Sequence, residues 1–242
     1  MKVVENIRYS SIGHERQVLD LYLPDCDEFP VFVYFHGGGL AKGDKAAGEM
    51  GEYLTDRNIA LVSANYRLYP NASYPDFVKD AAAAVGWVHK NIGEYGNCTK
   101  IFVGGSSAGG YLSMMLCFDK KWLAPYGINP AELGGFIHNA GQPTAHFNVL
   151  KERGFDSKRV IIDETAPIYY IGEAESYAPM MILIATNDMQ NRYEQTVLLV
   201  STMKHFGYDM EKVDFRLLEG RHCKYDNFKL QELAAEFICK YK

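Results

Sequence analysis

The chain has 242 residues, 48% hydrophobic and 23% charged, enough for one large domain with a substantial core. A formal net charge of −5 gives no basis for a nucleic-acid or anionic-membrane partner, and no apolar run approaches the roughly 20 residues of a membrane span. Five scattered cysteines without a C-x-x-C pair write neither a zinc knuckle nor a redox motif.

The N-terminal stretch MKVVENIRYS is polar and lacks the apolar core of a signal peptide, so a cytoplasmic protein is expected. Residues 3–12 and 16–24 read as a pair of strands around Gly13-His14-Glu15. Residues 30–39 (PVFVYFHGGG) form a continuous apolar run ending in glycines, the pattern of a strand buried on both faces, and residues 59–70 form a second. A helix follows over 77–92, with Val78, Ala81, Ala82, Val85 and Ile92 at helical spacing. The strand at 100–105 runs directly into GSSAG, and 108–118 reads as a helix. Three further strands are expected at 134–141, 179–186 and 213–220, with helices at 192–207 and 226–242. The last helix carries Leu230, Leu233, Ala234, Phe237 and Ile238 on one face. Strands alternating with helices predict a mostly parallel sheet of about eight strands, wrapped on both sides. Ligands of such sheets bind beyond the carboxyl ends of the strands, where all the motifs below fall.

Gly105-Ser106-Ser107-Ala108-Gly109 fits the G-x-S-x-G elbow only when centred on Ser107, because Ala108 stands where a frame on Ser106 needs glycine. A serine hydroxyl is a weak nucleophile and needs a base, an orienting acid and donors for the oxyanion. His36-Gly37-Gly38-Gly39 supplies the donors: the N–H groups of Gly37 and Gly38, joined by that of Ala108. His36 is read as fixing this loop by hydrogen bonding. Of the seven histidines, His222 lies just past a late strand, where the base of this arrangement belongs. His89 and His205 fall in helices, His138 inside a strand, and His146 in a loop as a candidate substrate contact. Asp188 follows the apolar strand before that of His222, in the order Ser…Asp…His; Glu194 is the runner-up. The expected triad is Ser107, Asp188 and His222, chemistry that calls for no cofactor and no metal.

These motifs, FHGGGLAKGD, SANYRLYP, GGSSAGG, the Asp after LIAT and the late His, resemble the hormone-sensitive-lipase-like carboxylesterase group of the α/β-hydrolases from about residue 16 onward. The resemblance implies an α/β-hydrolase fold in a single domain, 1–242, and a small-molecule ester as substrate. The sequence departs from the group's pattern at Ser106, where Asp is common, and at Met189-Gln190, which replace Pro-Leu after the acid. The segment 142–177 between two strands is too long for a plain connection and is read as a cap insertion. His146, Phe147, Tyr169 and Tyr170 in it are candidate substrate contacts. The expected reaction is hydrolysis of short acyl, acetyl-like esters of carbohydrate or aromatic alcohols. An arylformamidase-type amide hydrolase and a non-catalytic binding protein on the same fold are the alternatives. Nothing in the sequence specifies an oligomeric state.

Overall fold

The computed structural model describes residues 1–242. Its frame is a nine-stranded sheet: β1 (Lys2–Arg8), β2 (Val18–Leu23), β3 (Glu28–Phe35), β4 (Ala60–Ala64), β5 (Asn97–Ser106), β6 (Gly135–Asn139), β7 (Met180–Asn187), β8 (Val213–Arg221) and β9 (Lys224–Tyr225). Spatial order is β1-β2-β4-β3-β5-β6-β7-β8-β9. Strands β4 to β8 and β3 pair in parallel, whereas β1, β2 and β9 pair antiparallel at the two margins. Six helices connect them: α1 (Gly48–Thr55), α2 (Asp76–Asn91), α3 (Ala108–Phe118), α4 (Phe147–Glu152), α5 (Arg192–His205) and α6 (Leu230–Tyr241).

The period of two along the central strands divides their side chains between two cores. Val31, Val33 and Phe35 of β3, Val103 of β5 and Ile182 of β7 pack with α2, α3 and α5. Phe32, Phe102, Ile137, Met181 and Leu183 point the other way, onto Leu54 of α1 and onto Leu233, Phe237 and Ile238 of α6. This double coverage is why the strands read as unbroken apolar runs. No helix is long and apolar enough to cross a membrane.

Several bounds differ from the sequence reading. The run at 59–70 is a strand only to Ala64, because Asn65, Tyr66 and Arg67 turn aside to bind the His36 loop and Asp80. The last helix starts at Leu230 rather than 226, where the Glu232 carboxylate reaches back to the Lys229 N–H at 3.0 Å. Helix α1, short and interrupted by Gly51 against the Tyr22 ring, carries too little apolar periodicity to be read. The segment 142–177 contains α4 and a single 3₁₀ turn at Pro167–Tyr170. It is knitted to the frame by Tyr111 and Tyr74, whose hydroxyls donate to the Thr165 and Glu164 carbonyls at 2.8 and 3.0 Å.

Candidate active site

Ser107 sits between β5 and α3 with φ 55° and ψ −110°. A non-glycine residue held there stores about 1–3 kcal/mol of strain, which persists only where the surroundings enforce it. They do so here. The Ser107 N–H donates to the Asn139 carbonyl at 2.7 Å, and Gly109 brings the start of α3 directly against the Phe35 carbonyl, leaving no space for a Cβ. The other loops at this end of the sheet are strained in the same sense: Leu40, Ala140, Asn191 and Cys223 all have positive φ. Such outliers concentrate at functional sites.

His222 occupies the turn between β8 and β9, and Asp188 lies just beyond β7. The structure brings both to Ser107. His222 Nε2 is 2.8 Å from Ser107 Oγ, and its Nδ1 is 2.6 Å from Asp188 Oδ1. The Asp188 side chain is 1% exposed. Burial pushes its carboxyl up. The hydrogen bond and charge of His222, with N–H bonds from Met189 at 2.7 Å and Ala185 at 3.4 Å, outweigh that and hold it below the usual carboxylate range. It is therefore an ionised acceptor, able to fix the proton on Nδ1 and leave Nε2 free to accept from the serine. Glu194, by contrast, is exposed on α5 and makes no contact with His222.

The glycine loop after β3 borders Ser107. A Cβ on Gly37 would stand 3.4 Å from Ser107 Cβ. Gly38, at φ 112°, reverses the chain so that its carbonyl accepts from the N–H groups of Ala41 and Lys42 at 3.2 and 3.1 Å; a Cβ there would collide with the Lys42 carbonyl. No turn or loop hydrogen bond of the backbone uses the N–H of Gly37, Gly38 or Ala108. His36 braces the loop. Its Nδ1–H donates to the Gly37 carbonyl at 2.7 Å, and its Nε2 accepts from Arg16 at 3.2 Å. The ring stacks on Tyr66 with centroids 4.4 Å apart, and burial lowers its pKa to about 4.

Under the elbow lies a polar network that sequence reasoning missed. The Tyr34 hydroxyl donates to Ser106 Oγ at 3.0 Å, Asn139 Nδ2 donates to the same oxygen at 2.8 Å, and the Tyr225 hydroxyl donates to Asn139 Oδ1. Ser106 is thus spent in the structure beside the nucleophile. Tyr225 ties the His222 hairpin to the strand that supports Ser107.

The four substrate contacts expected from 142–177 divide. The Phe147 ring faces the glycine loop, 3.0 Å from where a Gly39 Cβ would be, and Asn148 Nδ2 donates to the Gly39 carbonyl. His146 must be corrected: its ring is buried between Tyr111 and Phe147, and its Nδ1 accepts the Asn148 N–H at 3.2 Å as a helix cap. Tyr170 is also withdrawn, buried with its hydroxyl donating to the Glu164 carbonyl at 2.7 Å. Tyr169 stands on the surface, 51% exposed and edge-on to Tyr170. A cleft of about 330 Å³ opens between this segment and the loop after Asp188, with Phe147 and Met189 as its two apolar walls. No group of three His, Cys, Asp or Glu side chains is arranged to hold a metal ion.

Comparison with known proteins places this geometry in context. The family model BD-FAE matches residues 19–124. The isoprenylcysteine alpha-carbonyl methylesterase ICME of Arabidopsis thaliana is 35% identical over 193 residues, 69% of this chain and 45% of its own length. The chain spans less than half the length of the curated relatives it matches. Esterase 2 of Thermogutta terrifontis, solved phosphonylated by cyclosarin, superposes with a TM-score of 0.75 at 25% identity, covering 99% of this chain and 93% of that one. A truncated carbohydrate esterase from gut microbiota superposes with a TM-score of 0.81 at 18% identity, covering 100% of this chain and 96% of that one, a likeness of fold alone.

Proposed function

This chain is an α/β-hydrolase related to the carboxylesterases, and from that premise we propose that it is a serine esterase for small carboxylic esters. One observation carries the reading: an unbroken chain of contacts from Asp188 Oδ1 through His222 to Ser107 Oγ, with the serine on a strained elbow beside unpaired backbone donors. In this reading Ser107 Oγ attacks the ester carbonyl as its proton passes to His222 Nε2. The N–H groups of Gly37, Gly38 and Ala108 stabilise the tetrahedral oxyanion. His222, now charged and held by Asp188, gives its proton to the departing alcohol. A water then takes the alcohol's place, loses a proton to His222 and releases the acid and free Ser107.

The segment 142–177 acts in this proposal as a small cap, with Phe147 and Asn148 against the glycine loop. The cleft it shares with the acid loop has only two apolar lining residues. An added methylene gains about 0.8 kcal/mol only where it meets apolar wall. Acetate to butyrate esters are therefore the expected substrates, with rates falling beyond about eight carbons. The test is kcat/KM for p-nitrophenyl esters from acetate to decanoate, beside an N-formyl arylamine, with Ser107→Ala as control. Short esters should turn over, and a fluorophosphonate should label Ser107. A decanoate preference would overturn the pocket reading, a formamide preference the ester assignment, and wild-type rates equal to those of Ser107→Ala the whole proposal.

A further inference from the structure

The cleft between the cap and the acid loop has a chemical character that esterase activity alone does not require. Its lining includes three cations, Lys158, Arg159 and Arg192, and no carboxylate, although the chain carries a net charge of −5. None of the three cations forms a salt bridge to a protein acid. Lys158 and Arg159 are exposed on the rim, whereas Arg192 is 4% exposed and belongs to the floor.

The hydrogen bonds of that floor run in one direction. Gln142 Nε2 donates to the Ala145 carbonyl at 2.9 Å and to Thr144 Oγ1 at 3.2 Å. Thr144 Oγ1 in turn donates to Gln195 Oε1 at 2.8 Å. This sequence leaves the Gln195 amide NH₂ without a protein acceptor, on a side chain only 9% exposed that lines the cleft. Arg192 shows the same polarity. Its two terminal nitrogens donate to the Ala140 carbonyl at 2.6 Å and to Gln142 Oε1 at 3.3 Å, and its Nε makes no hydrogen bond. The nearby acids are accounted for. Both oxygens of Asp188 are engaged by His222 and by backbone N–H groups, and exposed Asp156 accepts the Lys158 backbone N–H at 2.9 Å. The cleft is thus floored by donors that no protein group accepts from and rimmed by cations without a salt-bridge partner.

Donors and positive charge gathered on the walls of one cleft bind best an acceptor that itself carries negative charge. We propose that this cleft is a subsite for a carboxylate, so that the ester the enzyme prefers carries a negative charge on one of its halves. The inference rests on the esterase reading for its place in catalysis, but it makes its own claim about binding. Phe147, whose ring also meets Gly39, and Met189, next to Asp188, line the cleft, so the subsite borders both the glycine loop and the acid loop.

The experiment compares 4-acetoxybenzoate, with its charge on the alcohol half, with neutral 4-acetoxybenzamide, and phenyl hydrogen succinate, with its charge on the acyl half, with phenyl butyrate. The alcohol-half pair is normalised to uncatalysed hydrolysis; the acyl-half pair is compared directly, because the succinate carboxylate attacks its own ester in solution. One of the two anion-to-neutral ratios of kcat/KM should be about tenfold, the worth of one to two charge-assisted contacts at a half-exposed site. That ratio should fall as sodium chloride is raised, and to about one in the Lys158→Gln/Arg159→Gln double variant. Arg192→Gln should also lower it. Arg192 supports the Ala140 turn, so the rim variant is the cleaner test. Both ratios near one in the wild type, or a ratio that survives the rim substitutions, overturns the subsite. A parallel titration of Ser107→Ala with 4-hydroxybenzoate and 4-hydroxybenzamide reads binding alone. It tests the carboxylate preference even if no ester is hydrolysed, an outcome that would sink the esterase reading instead.

Discussion

Moving the protein from pH 7 to pH 5 should cost it a large fraction of its stability, because three histidines are buried in the neutral form. His36, His138 and His146 are each at most 6% exposed, and burial is the leading cause that lowers all three: to about 4 for His36, to about 3 for His138, and well below 6.5 for His146, where Arg192 adds to the effect. The hydrogen bonds explain why none can accept a second proton cheaply. His36 Nε2 accepts from the Arg16 guanidinium, so protonation would set two donors face to face. His146 Nδ1 accepts the Asn148 N–H. His138 Nδ1 lies 2.8 Å from Ser113 Oγ, which itself donates to the Gly110 carbonyl, and its buried Nε2 has no partner to receive a new proton.

A histidine whose folded pKa is depressed contributes stability that is intact above the unfolded value and lost as pH falls below it, because the unfolded chain binds the proton first. With an unfolded value near 6.5 and folded values of about 4 and about 3, His36 and His138 together cost about 4 kcal/mol between pH 7 and pH 5, and His146 shifts the balance in the same direction. Glu152, which burial pushes upward, opposes this as a single group. Asp44, Asp163 and Asp188, all held low, lose their contribution only below about 4. Total stabilities run to about 5–15 kcal/mol, so the loss is a large fraction. Guanidinium unfolding followed by circular dichroism should show the midpoint falling by about 1 M between pH 7 and pH 5, taking a slope of about 5 kcal/mol per molar for a chain of this size. Imidazole ¹⁵N shifts should report these three rings neutral in the folded protein at pH 5. A midpoint that moves by less than about 0.3 M, with unchanged slope, would refute the reasoning.

Other outcomes follow from the site. Ser107→Ala should lower kcat by about 10⁴- to 10⁶-fold. Ser106→Ala should retain most turnover but lose about 1–3 kcal/mol of stability, since Asn139 Nδ2 and the Tyr34 hydroxyl lose their acceptor; equal kinetic losses in the two variants would move the nucleophile. Asp188→Asn should keep the fold and cost about 10²- to 10⁴-fold through the wrong His222 tautomer, while Glu194→Gln stays within about twofold, and a reversal would relocate the acid. Tyr225→Phe should lower kcat about tenfold with little change in KM, because the hairpin bearing His222 loses its tie to Asn139; an effect confined to KM would show that Tyr225 contacts substrate instead.

What was legible in the sequence followed from local and periodic constraints. The parallel strands announced themselves because burial on both faces leaves no room for polar residues, and Ser107, Asp188 and His222 fell at strand ends in a fixed chain order. The role of His36 as a brace was also readable, since a ring next to three glycines has backbone to hold. The errors arose where a side chain's direction depends on remote partners. His146 and Tyr170 look like pocket residues as letters. Tyr111 closes over His146 and Lys121 Nζ donates to the Tyr170 hydroxyl, partners that sequence spacing does not bring to them. The Tyr34–Ser106–Asn139–Tyr225 network joins four separate strands and leaves no pattern in any one of them.

That network also gives a reason for serine at position 106. A carboxylate there would place a negative charge beside a nucleophile whose reaction creates another, and at the effective dielectric of a half-buried site such repulsion is worth a few kcal/mol. Ser106 satisfies Asn139 and Tyr34 without that charge. Burial raises the pKa of both Tyr34 and Tyr225, so the phenols stay neutral through the working range. The neutral platform leaves Asp188 as the acid engaged with the triad, and its field acts through His222, where it favours the imidazolium formed as Ser107 gives up its proton. Arg192, which feels the Asp188 charge, extends the same positive bias from the acid loop into the cleft. In the proposed reaction the Asp188 charge is spent on His222, and the cations of the cleft stand on the side from which an anionic ester would enter.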